Sequence, residues 1–278
     1  MLRAGLVSAA LLAACTAAAV LAVPVAAAAS PGSYVCSTGS ATSPALIPAG
    51  SYGSVMVTGS CYMEGTYTIA HGLTVAPGAE LDASVYFGFY PYTYGKSCDV
   101  SVTVSGGVRV MQGGVLYLGN GEGTGCPSSN DVVNGGITAA GAATFVVHGT
   151  TVNGRLSATG GDPGAGCTPS AASPFGTFTD VEDSMLNGGA TLSGNSTCWM
   201  GFIRNHVNGK VTVSGNTLGD PDAIEIGANT IDGSLACSGN ALAFFDINGG
   251  GVPTNMFDGS GPFRNTVSGA ETGQCAGL

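Results

Sequence analysis

Two acidic runs are the residues in this chain whose types and spacing could do chemistry. Asp180, Glu182 and Asp183 lie within four positions of one another, and Asp220, Asp222 and Glu225 fall inside LGDPDAIEIG. Clustered carboxylates can hold Ca²⁺, or serve as acid and base on a polysaccharide. Neither run spells the DxDxDG calcium loop or the GGxGxDx pattern of calcium-binding β-rolls. The reading preferred here is solvated loop acids, with one ion pair between Asp183 and Arg204. The alternative is a catalytic group of Asp220, Asp222 or Glu225 with Arg204.

A second candidate is aromatic. Residues 86–94 carry six aromatic side chains: Tyr86, Phe87, Phe89, Tyr90, Tyr92 and Tyr94. Tyrosine joins an apolar face to a hydroxyl, which suits stacking on sugar rings or on a protein partner. A hydrophobic lid over the chain's own core is the reading favoured over a ligand site. The three histidines, His71, His148 and His206, occupy unrelated repeat positions, so no shared metal site and no resident cofactor is expected. There is no GxSxG elbow for a nucleophilic serine.

The elements that position these residues begin after residue 30. Residues 1–30 hold one positive charge, Arg3, then an Ala/Leu/Val run ending in small residues, the layout of a cleaved secretory signal. Lipidation at Cys15, within Leu12-Ala13-Ala14-Cys15, is the less favoured processing route, because an apolar stretch follows that cysteine. The expectation is a secreted or cell-surface protein without a membrane span. Past residue 30 eight cysteines remain: Cys36, Cys61, Cys98, Cys126, Cys167, Cys198, Cys237 and Cys275. An even number in an exported chain, with no CxxC pair, implies disulfides. Connectivity stays open. Sequential pairing would close loops of 25, 28, 31 and 38 residues (61 − 36, 126 − 98, 198 − 167, 275 − 237), each contributing about 3–4 kcal/mol in the chain-entropy model.

Without Arg3 the chain has six basic residues against 17 acidic ones, a net charge of −11 (6 − 17). Phosphate binding needs clustered Lys and Arg, so nucleic acid is excluded as a partner.

One twelve-residue phrase recurs. DVVNGGITAAGA starts at Asp131, TTVNGRLSATGG at Thr150, SMLNGGATLSGN at Ser184, NHVNGKVTVSGN at Asn205, NTIDGSLACSGN at Asn229 and NTVSGAETGQCA at Asn265. Weaker copies start at Val55 and Val102. Successive strong copies begin 19, 34, 21, 24 and 36 residues apart, a unit near 20 residues with longer loops let in. Positions three, seven and nine are apolar and position eight is Thr or Ser (Thr138, Ser157, Thr191, Thr212), a period of two that means strand. Position four is Asn or Asp (Asn134, Asn153, Asn187, Asn208, Asp232) and position five is Gly, a pair that tolerates positive φ and makes a tight corner. The prediction is an all-β, single-stranded parallel β-helix of right hand, with looped insertions and disulfides. Residues 31–54 form an N-terminal cap region, 55–264 the rungs and 265–278 a C-terminal cap, with Glu271 at an inward position and Cys275 closing the chain. Residues two dozen apart should then superpose, with Val207 above Leu186 and beneath Ile231.

The phrases VNGKVTVSGN, NTIDGSLACSGN, LTVAPGAELDAS (from Leu73) and GQCAGL (from Gly273) resemble those of exported actinobacterial β-helix repeat proteins. These carry G-N-(V/L)-x-V rungs and a cysteine-containing end cap. The similarity covers most of residues 55–278. It implies the scaffold alone, because that family has no assigned activity to carry onto particular residues.

Among β-helix enzymes, a pectin lyase needs Ca²⁺-binding acids beside a basic residue, and a polygalacturonase needs NTD, an adjacent Asp pair and RxK. None of these strings occurs. Ice binding through the position-eight column is disfavoured because the column is single and Ala236 interrupts it. The function expected is an exported, non-catalytic scaffold or surface interaction protein with a polysaccharide or envelope protein as partner. A polysaccharide-active lyase or hydrolase is the alternative.

Overall fold

A computed structural model describes residues 31–84, 98–121, 126, 128–161, 167, 176–219, 224–242 and 264–278. The described residues are all β, with no helix, and hence no helix long and apolar enough to cross a membrane. The strands form a 17-stranded sheet, a nine-stranded sheet and a two-stranded pair. Every pairing is parallel except Gly39–Ser40 with Ser43–Ile47. The arrangement is compatible with a β-helix or solenoid.

The repeated phrase lays down two strands of the larger sheet. In the copy beginning at Asn205 these are His206–Val207 and Val211–Ser214, joined by the Asn208-Gly209 corner. The chain then returns through Ile224–Gly227 in the smaller sheet. Leu186 pairs with Val207, and Val207 with Ile231. The same column continues through Val104, Val133 and Val152 on one side and Val267 on the other. From Val104 to Ile231 all of these side chains are at most 1% exposed. Burying a Val, Leu or Ile contributes about 1.5–3 kcal/mol, so each rung adds a layer to one continuous core. The position-eight residues stack as expected, Thr138 on Ser157, Thr191, Thr212 and Ala236.

The glycine at position five has a different cause from the one expected. Positive φ occurs at position eleven instead, for example Gly215 at 62°. Position five requires glycine because the stacked corners touch: a Cβ at Gly233 would lie 2.4 Å from the Gly209 carbonyl oxygen, and one at Gly154 2.5 Å from the Gly136 nitrogen. The corner packs rung on rung, leaving no space for a side chain.

Polar ladders bind the rungs together. The expected outer ladder runs Asn208 to Asn187 to Asn153 to Asn134, each Nδ2 donating to the next Oδ1 at 2.6–2.8 Å. Two buried ladders accompany it, at positions one and twelve of the phrase. Asn229 Oδ1 accepts from the Asn205 backbone N–H and Nδ2, and its own Nδ2 donates to the Phe202 carbonyl at 2.7 Å. Asn195, Asn216 and Asn240 repeat the arrangement at position twelve, and Gln274, at position ten of the last copy, closes it. Each side chain satisfies both edges of its amide, which makes buried polar groups tolerable.

Four disulfides join Cys36–Cys61, Cys98–Cys126, Cys167–Cys198 and Cys237–Cys275, the sequential pairs. At the C-terminal end Glu271 pairs in register with Leu235, the inward column, and its Oε2 accepts the Gly277 N–H at 3.1 Å. At the other end Tyr34–Cys36 lies in register against Val55–Val57, so paired strands begin ahead of residue 55.

Candidate functional site

The one His/Cys/Asp/Glu cluster with metal-ligand spacing among the described residues lies on the outer face of the smaller sheet. Two adjacent strands build it, Thr144–His148 and Phe178–Glu182, with His148 opposite Glu182. Val147 and Val181 belong to the core, so by alternation His148, Asp180 and Glu182 share the opposite face. Asp180 sits in register between Val146 and Gly201. A Cβ at Gly201 would approach Asp180 Oδ1 to 2.5 Å and the Trp199 ring to 2.4 Å. Apolar atoms and a bare glycine therefore enclose this carboxylate.

His148 Nε2 is 2.7 Å from Asp180 Oδ2, with the two side chains 7% and 8% exposed. Asp180 Oδ1 is buried without a hydrogen-bond partner. Burial pushes the His148 pKa down, but the Asp180 charge and hydrogen bond, aided by Glu182 and Asp183, outweigh it and raise the value. Burial, and then the charge of Asp180, lift Glu182 to about 7 against the pull of His148 and Arg204. Arg204 donates from Nε to Asp183 Oδ1 at 2.6 Å, from Nη2 to Asp183 Oδ2 at 3.0 Å and from Nη2 to Glu182 Oε2. The hydrogen bond to Asp183 heads the causes that raise its pKa further. This is the ion pair that the repeat register predicts.

Asp183 and Arg204 occupy a left-handed corner column. Gly149, Asp183, Arg204 and Ala228 succeed one another there, with φ between 52° and 56°. A non-glycine residue in this region costs about 1–2 kcal/mol, so both charged groups are held where the backbone prefers glycine.

The acids 180–183 are thus not solvated loop groups. Asp180 and Glu182 belong to a strand, and Asp180 is 6% exposed. The three histidines do stay apart: His206 lies in the larger sheet opposite Met185 and Thr230, 3.5 Å from Asp232, and His71 is exposed. Glu225 stands opposite Gly201, on the same face and two strands from Asp180. Asp220, Asp222 and Tyr86, Phe87, Phe89, Tyr90, Tyr92 and Tyr94 lie outside the described residues. The sequence reading missed the pairing of His148 with Asp180 and Glu182. Its signal was present: His148 and Glu182 each precede a copy of the phrase, at Thr150 and Ser184, by two residues.

The chain matches no family model, no curated protein and no solved structure. What the cluster can do follows from its chemistry alone. It offers an imidazole, two carboxylates with one unused buried oxygen, and an arginine that fixes two acids in place.

Proposed function

We propose that this chain is an exported, non-catalytic scaffold, a right-handed parallel β-helix with the repeat architecture of the exported actinobacterial proteins it resembles. It acts at the cell surface or outside the cell with a polysaccharide or an envelope protein as partner, and the aromatic stretch at residues 86–94, where it does not serve as a lid, is the candidate contact. The observation that carries this reading is the pairing of its charges with one another. Arg204 is held by Asp183 and Glu182, and His148 by Asp180, with the His148, Asp180 and Asp183 side chains all under 10% exposed. Catalytic acids and bases must reach substrate protons, whereas these groups join neighbouring strands. Four disulfides and three amide ladders support the same reading, since they serve persistence of shape.

The test uses the purified protein against cell-wall and host polysaccharides, with Ca²⁺ and with EDTA. Retention without release of reducing ends or unsaturated sugars is expected, and Tyr90→Ala with Tyr92→Ala should abolish it. Turnover of a polysaccharide would replace this reading with the enzymatic one. Unchanged retention by the double variant would move the contact away from the aromatic stretch.

A further inference from the structure

We propose that His148, Asp180 and Glu182 bind one first-row divalent cation of the Zn²⁺ class on the outer face of the smaller sheet. One ligand atom from each residue lies within 4.8 Å of the others. An imidazole with two carboxylates is a donor set suited to Zn²⁺, Mn²⁺ or Co²⁺, whereas an all-oxygen shell would favour Ca²⁺ or Mg²⁺. The placement follows from strand geometry. Alternation puts residues 180 and 182 on one face, and the parallel register puts His148 beside them.

Two further observations point to a ligand. Asp180 is more than nine-tenths buried, with Oδ2 toward His148 Nε2 and Oδ1, which has no hydrogen-bond partner, toward Gly201, so a turn of the carboxylate presents the unmatched oxygen to an ion. A buried carboxylate oxygen left unmatched is unfavourable, and a cation is the partner an acceptor can take where no donor is at hand. Arg204 holds Glu182 through Oε2 alone, leaving Oε1 for the ion while fixing the carboxylate's direction. Carboxylate ligands are commonly oriented in this way by an outer hydrogen bond. Charge agrees, with three carboxylates, Asp180, Glu182 and Asp183, set against the Arg204 guanidinium and the His148 proton that the ion replaces. Donor atoms on one Zn²⁺ lie about 3–4 Å apart, so closure needs a small rotation of Glu182. At 15% side-chain exposure Glu182 is the least buried of the three, and it marks the side from which an ion enters. The ion takes the place of the Nε2 proton, which moves to Nδ1 or to solvent.

The experiment is titration of the full folded protein, stripped with EDTA, with ZnCl₂ and then CoCl₂ at pH 7.5. One equivalent should bind, and Co²⁺ should give a visible spectrum of mixed nitrogen and oxygen ligation. H148Q and E182Q should each weaken binding at least tenfold. H206Q, at the surface His206–Asp232 pair, should leave it unchanged. In unmutated protein Mn²⁺ should broaden the amide resonances of Val147 and Val181 before those of Val207. This readout stands even if a variant fails to fold. Absence of a one-equivalent site, binding that survives both H148Q and E182Q, or loss in H206Q alone would overturn the proposal and leave a proton as the cluster's only cation.

Discussion

His148 Nε2 and Asp180 Oδ2 meet at 2.7 Å across two adjacent strands, each side chain more than nine-tenths buried. A pair this enclosed gains little over well-packed apolar residues, but removing one partner strands the other. His148→Ala should therefore cost about 3–5 kcal/mol, read as a fall in Tm of the metal-free protein. A paired apolar replacement, His148→Leu with Asp180→Leu, should recover much of that loss. If His148→Ala alone leaves Tm unchanged, the pair is not buried as described.

Acidity should tell on the same cluster. The His148 pKa is raised on folding, so its stabilising contribution is complete below the unfolded value near 6.5 and is lost as pH rises through the folded value. Glu182 rises from 4.5 to about 7, so the native state holds a proton there that the unfolded chain has released, and stability falls as pH climbs between those values. Both trends have one sign. Metal-free protein in urea should unfold at a higher midpoint at pH 5 than at pH 8.

Asp131 gives a sharper case. It starts its phrase where Asn205, Asn229 and Asn265 start theirs, and its Oδ1 accepts the Val102 N–H at 2.6 Å as the buried asparagines accept from the preceding rung. An aspartate has no Nδ2, however, and Oδ2 is buried without a partner where an amide would donate. Burial lifts its pKa to about 7 against the opposing Val102 N–H and Ser129 hydroxyl. Asp131→Asn should stabilise the protein by about 1–3 kcal/mol above pH 7 and leave it little changed at pH 4. Equal Tm shifts at both pH values would remove titration as the cause.

How much of this was legible beforehand depended on register. The column from Leu186 through Val207 to Ile231 and the ion pair of Asp183 with Arg204 follow from counting positions within the phrase, because a parallel stack converts sequence offset into contact. The His148 cluster needed the same count carried two residues ahead of the phrase, across the insertion after Gly160. The two buried ladders were visible as Asn at positions one and twelve, but alternation does not say which polar residues turn inward. Depth came from packing: nothing in the string DVED tells that Val146, Gly201 and Trp199 close around Asp180.

The ladders can be ranked. Asn216 is fully buried, and its Oδ1 accepts the Asn195 backbone N–H at 3.0 Å while its Nδ2 donates to the Leu192 carbonyl at 3.1 Å. Asn216→Ala unpairs two buried backbone groups of the preceding rung and should cost about 2–4 kcal/mol, whereas Asn187→Ala on the exposed ladder should cost under about 1 kcal/mol. Chemical denaturation of the two variants checks the order, and equal losses would mean that the buried amides are replaceable by water.

The corners discriminate between two reasons for glycine. Gly215 has a φ of 62° and open space where a Cβ would go, so Gly215→Ala pays only the left-handed backbone term of about 1–2 kcal/mol. Gly233 does not adopt positive φ, but a Cβ there would lie 2.4 Å from the Gly209 carbonyl oxygen and 2.5 Å from its carbon. Those atoms belong to the preceding rung's backbone and cannot rotate away as a side chain would. Relief requires separating two stacked corners, together with the Val207 and Ile231 layers and the Asn205–Asn229 amide bonds beside them. Gly233→Ala should therefore be the more damaging of the two, with increased amide hydrogen exchange in the strands Thr230–Ile231 and His206–Val207. The reverse order would mean that the corner's shape is set by φ and not by the contact between rungs.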